Sequence, residues 1–324
     1  MPVKRFFKKA SLLLIPVMTP VVVAEKVLGR AYMQDFTTLF FSIFLEALPY
    51  ILVGTIISSF IQVYVATETI KKVLPRQLLP GLLLGAAAGF VFPVCECGII
   101  PVARGLIQKG VPLPVTVTFM LAAPVINPVA LASTAAAFND AGWAWARGIF
   151  AFFIAIWTGF LVSWLAGANQ IKNGVEQCTG CCDHHHHTQG GGKLIEVLSH
   201  TADDFLNLSV YLIAGAFIAS ATQVLIPREQ LLALGGSPLT SSAVMMALAY
   251  VLSLCSEADA FVAAAFSDSF THGSIMAFLL LGPMLDLKNS FVLFSTFKAR
   301  FVVRLSIILV LDIFILSLAI TLAR

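Results

Sequence analysis

The sequence predicts an all-α polytopic membrane protein made of two structural repeats of inverted orientation. It should have about 8–10 membrane segments, two of them broken or re-entrant helices. Three observations carry this. The chain is 59% hydrophobic and 11% charged, with mean hydropathy +0.92, whereas soluble domains are about a quarter charged. Its apolar runs are continuous over ~20 residues and do not alternate over ~10, which fits helices and not a membrane barrel. Two of those runs are interrupted by polar motifs at corresponding places in the two halves.

Along the chain, residues 1–35 form an N-terminal segment that opens with Lys4, Arg5, Lys8 and Lys9. It resembles a signal sequence, with Val22-Val23-Ala24 as a weak cleavage site, and is expected to be retained. Residues 36–166 form the first repeat and 205–324 the second. Continuous spans are expected at 36–66, 113–138, 143–166, 205–226, 275–297 and 301–322. The stretch 78–108 is cut by Pro93, Cys95-Glu96-Cys97-Gly98 and Pro101, and the stretch 239–266 by Cys255-Ser256-Glu257-Ala258-Asp259. Each is long for one span and short for two, so a broken helix or a re-entrant hairpin is expected. Residues 167–204 form the one extended polar loop, with Gly190-Gly191-Gly192 as a flexible stretch.

The repeat shows in matched residues. Tyr50 to Gly54 reads against Tyr211 to Gly215, and Gln62-Val63 against Gln223-Val224, at an offset of 161. Cys95 matches Cys255 at 160, and Pro124 and Asn127 match Pro283 and Asp286 at 159. Lys and Arg placement puts the N-terminus, Lys71, Lys72, Arg76, the 167–204 loop, Lys298 and Arg300 in the cytoplasm. The first repeat then begins inward and the second outward, so the repeats are inverted. The net charge of +3 is small and the basic residues sit at segment ends. That pattern encodes topology and gives no nucleic-acid footprint.

Thiols and carboxylates in an apolar segment are costly without a use. Cys95 and Cys97 cannot share a face of a regular helix, but an irregular break lets both turn toward one ion. Gly98 supplies the backbone freedom, and Pro93 and Pro101 keep regular helix from running through. Thiolates select soft or borderline cations such as Cu(I) and Zn(II), and trivalent arsenic by the same affinity. If the repeat brings the breaks together, Cys95, Cys97 and Cys255 form a trigonal soft-metal site. Glu96, Glu257 and Asp259 are then candidates for charge balance, water organisation or proton exchange, with membrane-edge solvation or a helix-terminus role as the alternative, most of all for Asp259. Asn127 and Asp286, each three residues after a proline, are candidates to line the pathway, with interhelical packing as an equal alternative. Glu46 is a candidate proton carrier or a partner of Arg147. His272 reads as bland, and Trp143, Trp145, Trp157 and Trp164 as interfacial anchors.

In the polar loop, Cys178, Cys181, Cys182, His184, His185, His186 and His187 place seven metal-capable side chains within ten residues. The Cys-x-x-Cys spacing lets two thiolates share one Zn(II) or Cu(I), and His completes the set. A mobile arm that gathers metal and hands it to the membrane site is the expectation. The chain has no GxxxxGK[ST], HExxH or GxSxG motif, so no P-loop ATPase and no enzyme activity is expected.

The run from Phe92 through Pro93, Cys95, Glu96, Cys97, Gly98 and Pro101, followed by Ala122-Ala123-Pro124-Val125-Ile126-Asn127-Pro128, resembles a bacterial permease family that includes ArsP and YraQ. The resemblance covers most of residues 36–322. The Cys/His-rich loop is similar to that of a copper/zinc efflux subfamily. The resemblance implies export of Cu(I) and/or Zn(II) across the bacterial cytoplasmic membrane. The metal is then substrate, with no required cofactor. The implied partners are the lipid bilayer, a metallochaperone and further copies of the chain, and no nucleic acid. Two other readings stand beside it: efflux of trivalent arsenicals or a small sulfur-containing molecule, and a membrane metal or redox sensor.

Overall fold

The computed structural model describes residues 30–64, 75, 77–92, 95–165, 170, 193–225, 237–267 and 269–323. These form α-helices and no strand, as expected for an all-α membrane protein. The first repeat contributes α1 (Arg30–Tyr64), α2 (Leu78–Val91), α3 (Glu96–Gln108), α4 (Leu113–Ile126), α5 (Pro128–Phe138) and α6 (Ala141–Leu165). The second contributes α7 (Lys193–Leu225), α8 (Pro238–Leu252), α9 (Ser256–Ala265), α10 (His272–Met284), α11 (Leu287–Thr296) and α12 (Ala299–Leu322). Among the described residues six stretches are long and apolar enough to cross a bilayer: α1, α4–α5, α6, α7, α10–α11 and α12.

Close glycine contacts fix the directions of the helices. Cβ atoms at Gly81, Gly85 and Gly89 of α2 would meet Val115, Val115 with Phe119, and Ala122 with Ala123 of α4 in turn. The contacts advance together, so α2 runs parallel to α4. α3 leads into α4 through a tight turn in which Gly110 takes φ 89°, a left-handed conformation glycine adopts without strain. α3 therefore runs back the way α2 came, and α2–α3 is a re-entrant hairpin. α8–α9 repeats the arrangement. α8 and α10 begin side by side, with Ser241 Oγ 2.9 Å from Ser274 Oγ, and pack along one another.

α1 and α7 run antiparallel. Phe36 and Phe40 of α1 meet Phe217 edge-on, while Arg104, at the far end of the α1–α3 contact, reaches Asp204. The equivalent helices of the two halves thus point in opposite directions, and the repeats are inverted. α6 ends, and α7 and α12 begin, at one face of the molecule. α5 and α9 end, and α6 and α10 begin, at the other, where Trp143 stacks on His272 at 5.4 Å.

The spans expected as continuous at 113–138 and 275–297 are each broken, which makes four interior breaks instead of two. Pro128 disfavours α geometry at the residue before it. Asn127 accordingly turns to φ −54°, ψ 131°, and its side chain caps α5 by accepting from the Val129 N–H at 2.9 Å. Leu285 is extended, and Asp286 Oδ1 caps α11 through the Asn289 N–H at 2.5 Å.

Glycine also brings α1 onto α3. A Cβ at Gly54 would collide with the Gly98 backbone. Gly54→Ala is expected to lower the unfolding midpoint in detergent, at a cost of about 1–3 kcal/mol. Gly148→Ala, whose Cβ meets only the Leu131 side chain at 3.4 Å, should cost nothing or stabilise, since Ala is the better helix former. Equal midpoints for the two variants would contradict this packing.

Candidate functional site

Four half-helices begin at the interior breaks: α3 at Cys95, α5 at Asn127, α9 at Cys255 and α11 at Asp286. Each start points the positive end of a helix dipole into the interior. Two buried cations tie these starts together. Lys288, in the first turn of α11, places Nζ 3.0 Å from Glu96 Oε1 and 3.6 Å from Asp286 Oδ2. It also donates to the Ser253 carbonyl at 3.3 Å, in the break between α8 and α9. Arg147 of α6 is fully buried. It donates to the Thr134 hydroxyl of α5 at 2.7 Å and to the Ser256 carbonyl of α9 at 3.1 and 3.2 Å. Three carboxyls are as deeply buried: Glu96, Asp286 and Asp259, the last at 0% exposure with no hydrogen-bond partner on either oxygen. Acids outnumber bases here by one, while the dipoles add partial positive charge.

Cys95 and Cys97 are both buried at the start of α3, Cys95 at its N-cap position and Cys97 in its first turn, close enough to interact electrostatically. Cys255 stands at the start of α9, on the other hairpin, with the Glu46 carboxyl of α1 among its neighbours. Among the described residues no three His, Cys, Asp or Glu side chains are gathered closely enough to hold a metal ion. The three sulfurs expected to form one trigonal site therefore do not form such a group. Cys95 and Cys255 begin the second helices of separate hairpins, which Lys288 bridges through Glu96 and the Ser253 carbonyl. Glu257 is half-buried and lies near Tyr50. Asn127 serves as a cap, whereas Asp286 is both a cap and a partner of Lys288. Glu46 faces Cys255 and not Arg147. Asp259 is fully buried and lies in the first turn of α9, so solvation does not explain it, whereas a place at a helix terminus is what the structure has. The loop cysteines and histidines at 178–187 lie outside the described residues.

Lys288 and Arg147 were missed as site residues by reading motifs. Their signal was present: each is a lone cation inside an apolar stretch, and a charge at that depth needs a partner or a task.

The inverted repeats are packed unequally. α1 lies on α3 and α7 lies on α11, but neither α1 on α5 nor α7 on α9 makes comparable contact. Repeat-equivalent positions differ accordingly. Lys288 is 3% exposed and its counterpart Val129 55%. Pro101 is buried and its counterpart Phe261 is 57% exposed. The α3–α11 half is closed by α1 and α7, with Arg104 Nη1 2.7 Å from Asp204 Oδ1 across the seam. The α5–α9 half is uncovered.

Inverted repeats, paired re-entrant hairpins and a charged centre where broken helices meet define the architecture of a membrane permease. The chain matches the family model ArsP_1, described as a predicted permease, over residues 32–322, and it belongs to that family. It is 44% identical over 267 residues to the UPF0718 protein YcgR of Bacillus subtilis (strain 168), covering 82% of this chain and 90% of that protein. It is 38% identical over 268 residues to a Streptococcus mutans protein named "Putative two-component membrane permease complex subunit", covering 82% and 88% respectively. No solved structure matches the chain.

Proposed function

We propose that this permease is a secondary transporter that exports a soft metal ion, Cu(I) before Zn(II), from the cytoplasm. The observation that carries this reading is the Cys95–Cys97 pair at the start of α3. Two adjacent sulfurs suit Cu(I), which is content with two thiolates, whereas Zn(II) takes four ligands. Binding displaces thiol protons. The dipole of α3 favours negative charge where the thiolates would form. Glu96, between the two cysteines in sequence, is held by Lys288, so occupancy of the pair is felt at once by α11.

Orientation follows the basic residues. Arg104, Lys109, Lys298, Arg300 and Arg304 lie at or toward the face where α6 ends, which makes it the cytoplasmic face. The Cys/His-rich loop joins helices at that face and would gather metal there. Closure of α1 and α7 on the α3–α11 half then shuts the cytoplasmic side, and the uncovered α5–α9 half opens outward. The Streptococcus mutans relative carries a name that makes it one subunit of a complex. A second membrane chain is accordingly a candidate partner here, testable by co-purification from the native membrane.

A second reading keeps the same pair, because an organoarsenical with trivalent arsenic also bonds two thiolates. Inside-out vesicles supplied with Cu(I), Zn(II) and a trivalent methylarsenical separate the two. Cys95→Ser/Cys97→Ser is expected to abolish uptake of whichever thiophile is carried. Deleting 178–187 is expected to slow metal uptake and spare arsenical uptake. Unchanged Cu(I) uptake by the double cysteine variant would sink the site assignment.

A further inference from the structure

We propose that Asp259 is a proton-binding site, separate from the thiol pair, whose loading decides what Arg147 holds and so ties proton movement to transport. The coupling step rests on the transporter reading above, but proton binding at Asp259 does not.

Asp259 lies in the first turns of α9, with its own N–H bonded to the Cys255 carbonyl at 2.9 Å. Both carboxyl oxygens are buried without a hydrogen-bond partner. The room for them is made by Gly282 of α10, where a Cβ would stand 2.5 Å from Oδ2. The equivalent residues of the first repeat are Ile99 and Ala123, at offsets of 160 and 159, and both are fully buried. The first half thus fills this position with packed hydrocarbon. The second half substitutes a carboxyl and removes a methyl to admit it. An acid in the first turn of a helix suits its dipole, but that role does not require burying the carboxyl without a hydrogen bond against Gly282.

The charged groups around Asp259 are Arg147 on α6, Asp286 and Lys288 on α11, Glu96 on α3 and Glu257 on its own helix. α5 and α10 bring none close; His272 stands at the far end of α10, stacked on Trp143. Both cations are engaged elsewhere. Lys288 is committed to Glu96, Asp286 and the Ser253 carbonyl. The terminal guanidinium nitrogens of Arg147 are committed to Ala130, Thr134 and Ser256, and its Nε has no partner. A bare carboxylate at 259 would be a buried charge with no hydrogen bond, which is costly. A proton removes that charge and needs no coordination shell. A metal cation would need several oxygens and would sit between two fixed cations.

The consequence for motion follows from the Arg147 contacts. Its bonds to Thr134 and Ser256 pin α5 to α9. When the proton leaves Asp259 for water, the carboxylate draws the guanidinium, and an ion pair forms at the expense of those bonds. α5 and α9 are the helices that α1 and α7 leave uncovered. Proton release therefore loosens the half of the molecule that must rearrange for the other face to close.

The test uses the full-length protein in proteoliposomes, with two independent readouts. In infrared difference spectra between acid and alkaline pH, the wild type is expected to show a protonated-carboxyl band that Asp259→Asn lacks and Glu96→Gln retains. The same band in Asp259→Asn, or a band in the wild type that responds to sodium and not to pH, overturns the proposal. In transport, Asp259→Asn, which cannot release a proton and so leaves the Arg147 bonds in place, is expected to slow Cu(I) exchange at equal concentrations and to lose acceleration by an imposed pH gradient. Retained acceleration overturns the coupling step. If the wild type carries no Cu(I), the permease substrate reading fails, and the infrared result still decides whether Asp259 binds a proton. Gly282→Ala, which crowds the carboxyl, should shift the pH at which the band disappears; an unmoved band overturns the assignment to this cradle.

Discussion

Lys288→Met is expected to leave little folded protein. Lys288 is 3% exposed and, among the described residues, is the one cation touching both Glu96 and Asp286. Removing it strands two carboxylates in the interior and frees the Ser253 carbonyl. Breaking a buried ion pair by deleting one partner costs about 3–5 kcal/mol, a large share of a total stability of about 5–15 kcal/mol. The measurement is the monodisperse fraction recovered in detergent and its unfolding midpoint. Removal of the stranded charges is the control. Lys288→Met/Glu96→Gln/Asp286→Asn should recover much of the loss, because an uncharged set needs no counter-ion and Asn still caps α11. A single variant as stable as the wild type would show that the cluster is hydrated and that its charges are already screened.

This network marks where the sequence stops being informative. The spans, the re-entrant stretches and the inverted repeat were legible because they rest on local composition and on a register of matched residues. The Gly54 and Gly215 match proved structural. Gly54 admits the Gly98 backbone, and a Cβ at Gly215 would stand 2.9 Å from the Lys288 carbonyl. The breaks at Asn127 and Asp286 were also written in the sequence, as Asn-Pro and as an acid three residues after proline, but the apolar runs around them hid the interruption. Which residues meet across breaks could not be read. Glu96 and Lys288 are separated by 192 positions, and no periodicity encodes that pairing. Cys255 matches Cys95 by register yet faces Glu46. An inverted repeat places equivalent residues at opposite ends of an axis, and register alone does not bring them together.

Locking α1 to α3 is expected to stop transport completely and reversibly. A Cβ at Gly105 would stand 2.8 Å from Ser58 Oγ and 3.6 Å from Ser58 Cα, close enough for Ser58→Cys/Gly105→Cys to form a disulfide. If alternating access is a rocking of α1 and α7 between the two halves, oxidation of this pair freezes the α3–α11 half shut, and a thiol reductant restores flux. Oxidised wild type and each single variant serve as controls for the native cysteines. The repeat supplies the complementary pair. At offsets of 161 and 160, Ser58 and Gly105 correspond to Ala219 and Ala265. Ala219 is now buried against Ile43 and Ala216, and Ala265 is exposed, with α7 not packed on α9. Ala219→Cys/Ala265→Cys should therefore cross-link only in the state with the α5–α9 half closed, and substrate or an imposed pH gradient should change its yield opposite to that of the first pair. If the first pair cross-links without loss of flux, or if the two yields rise and fall together, α1 and α7 are fixed elements, and the unequal packing of the repeats is a permanent asymmetry of the fold.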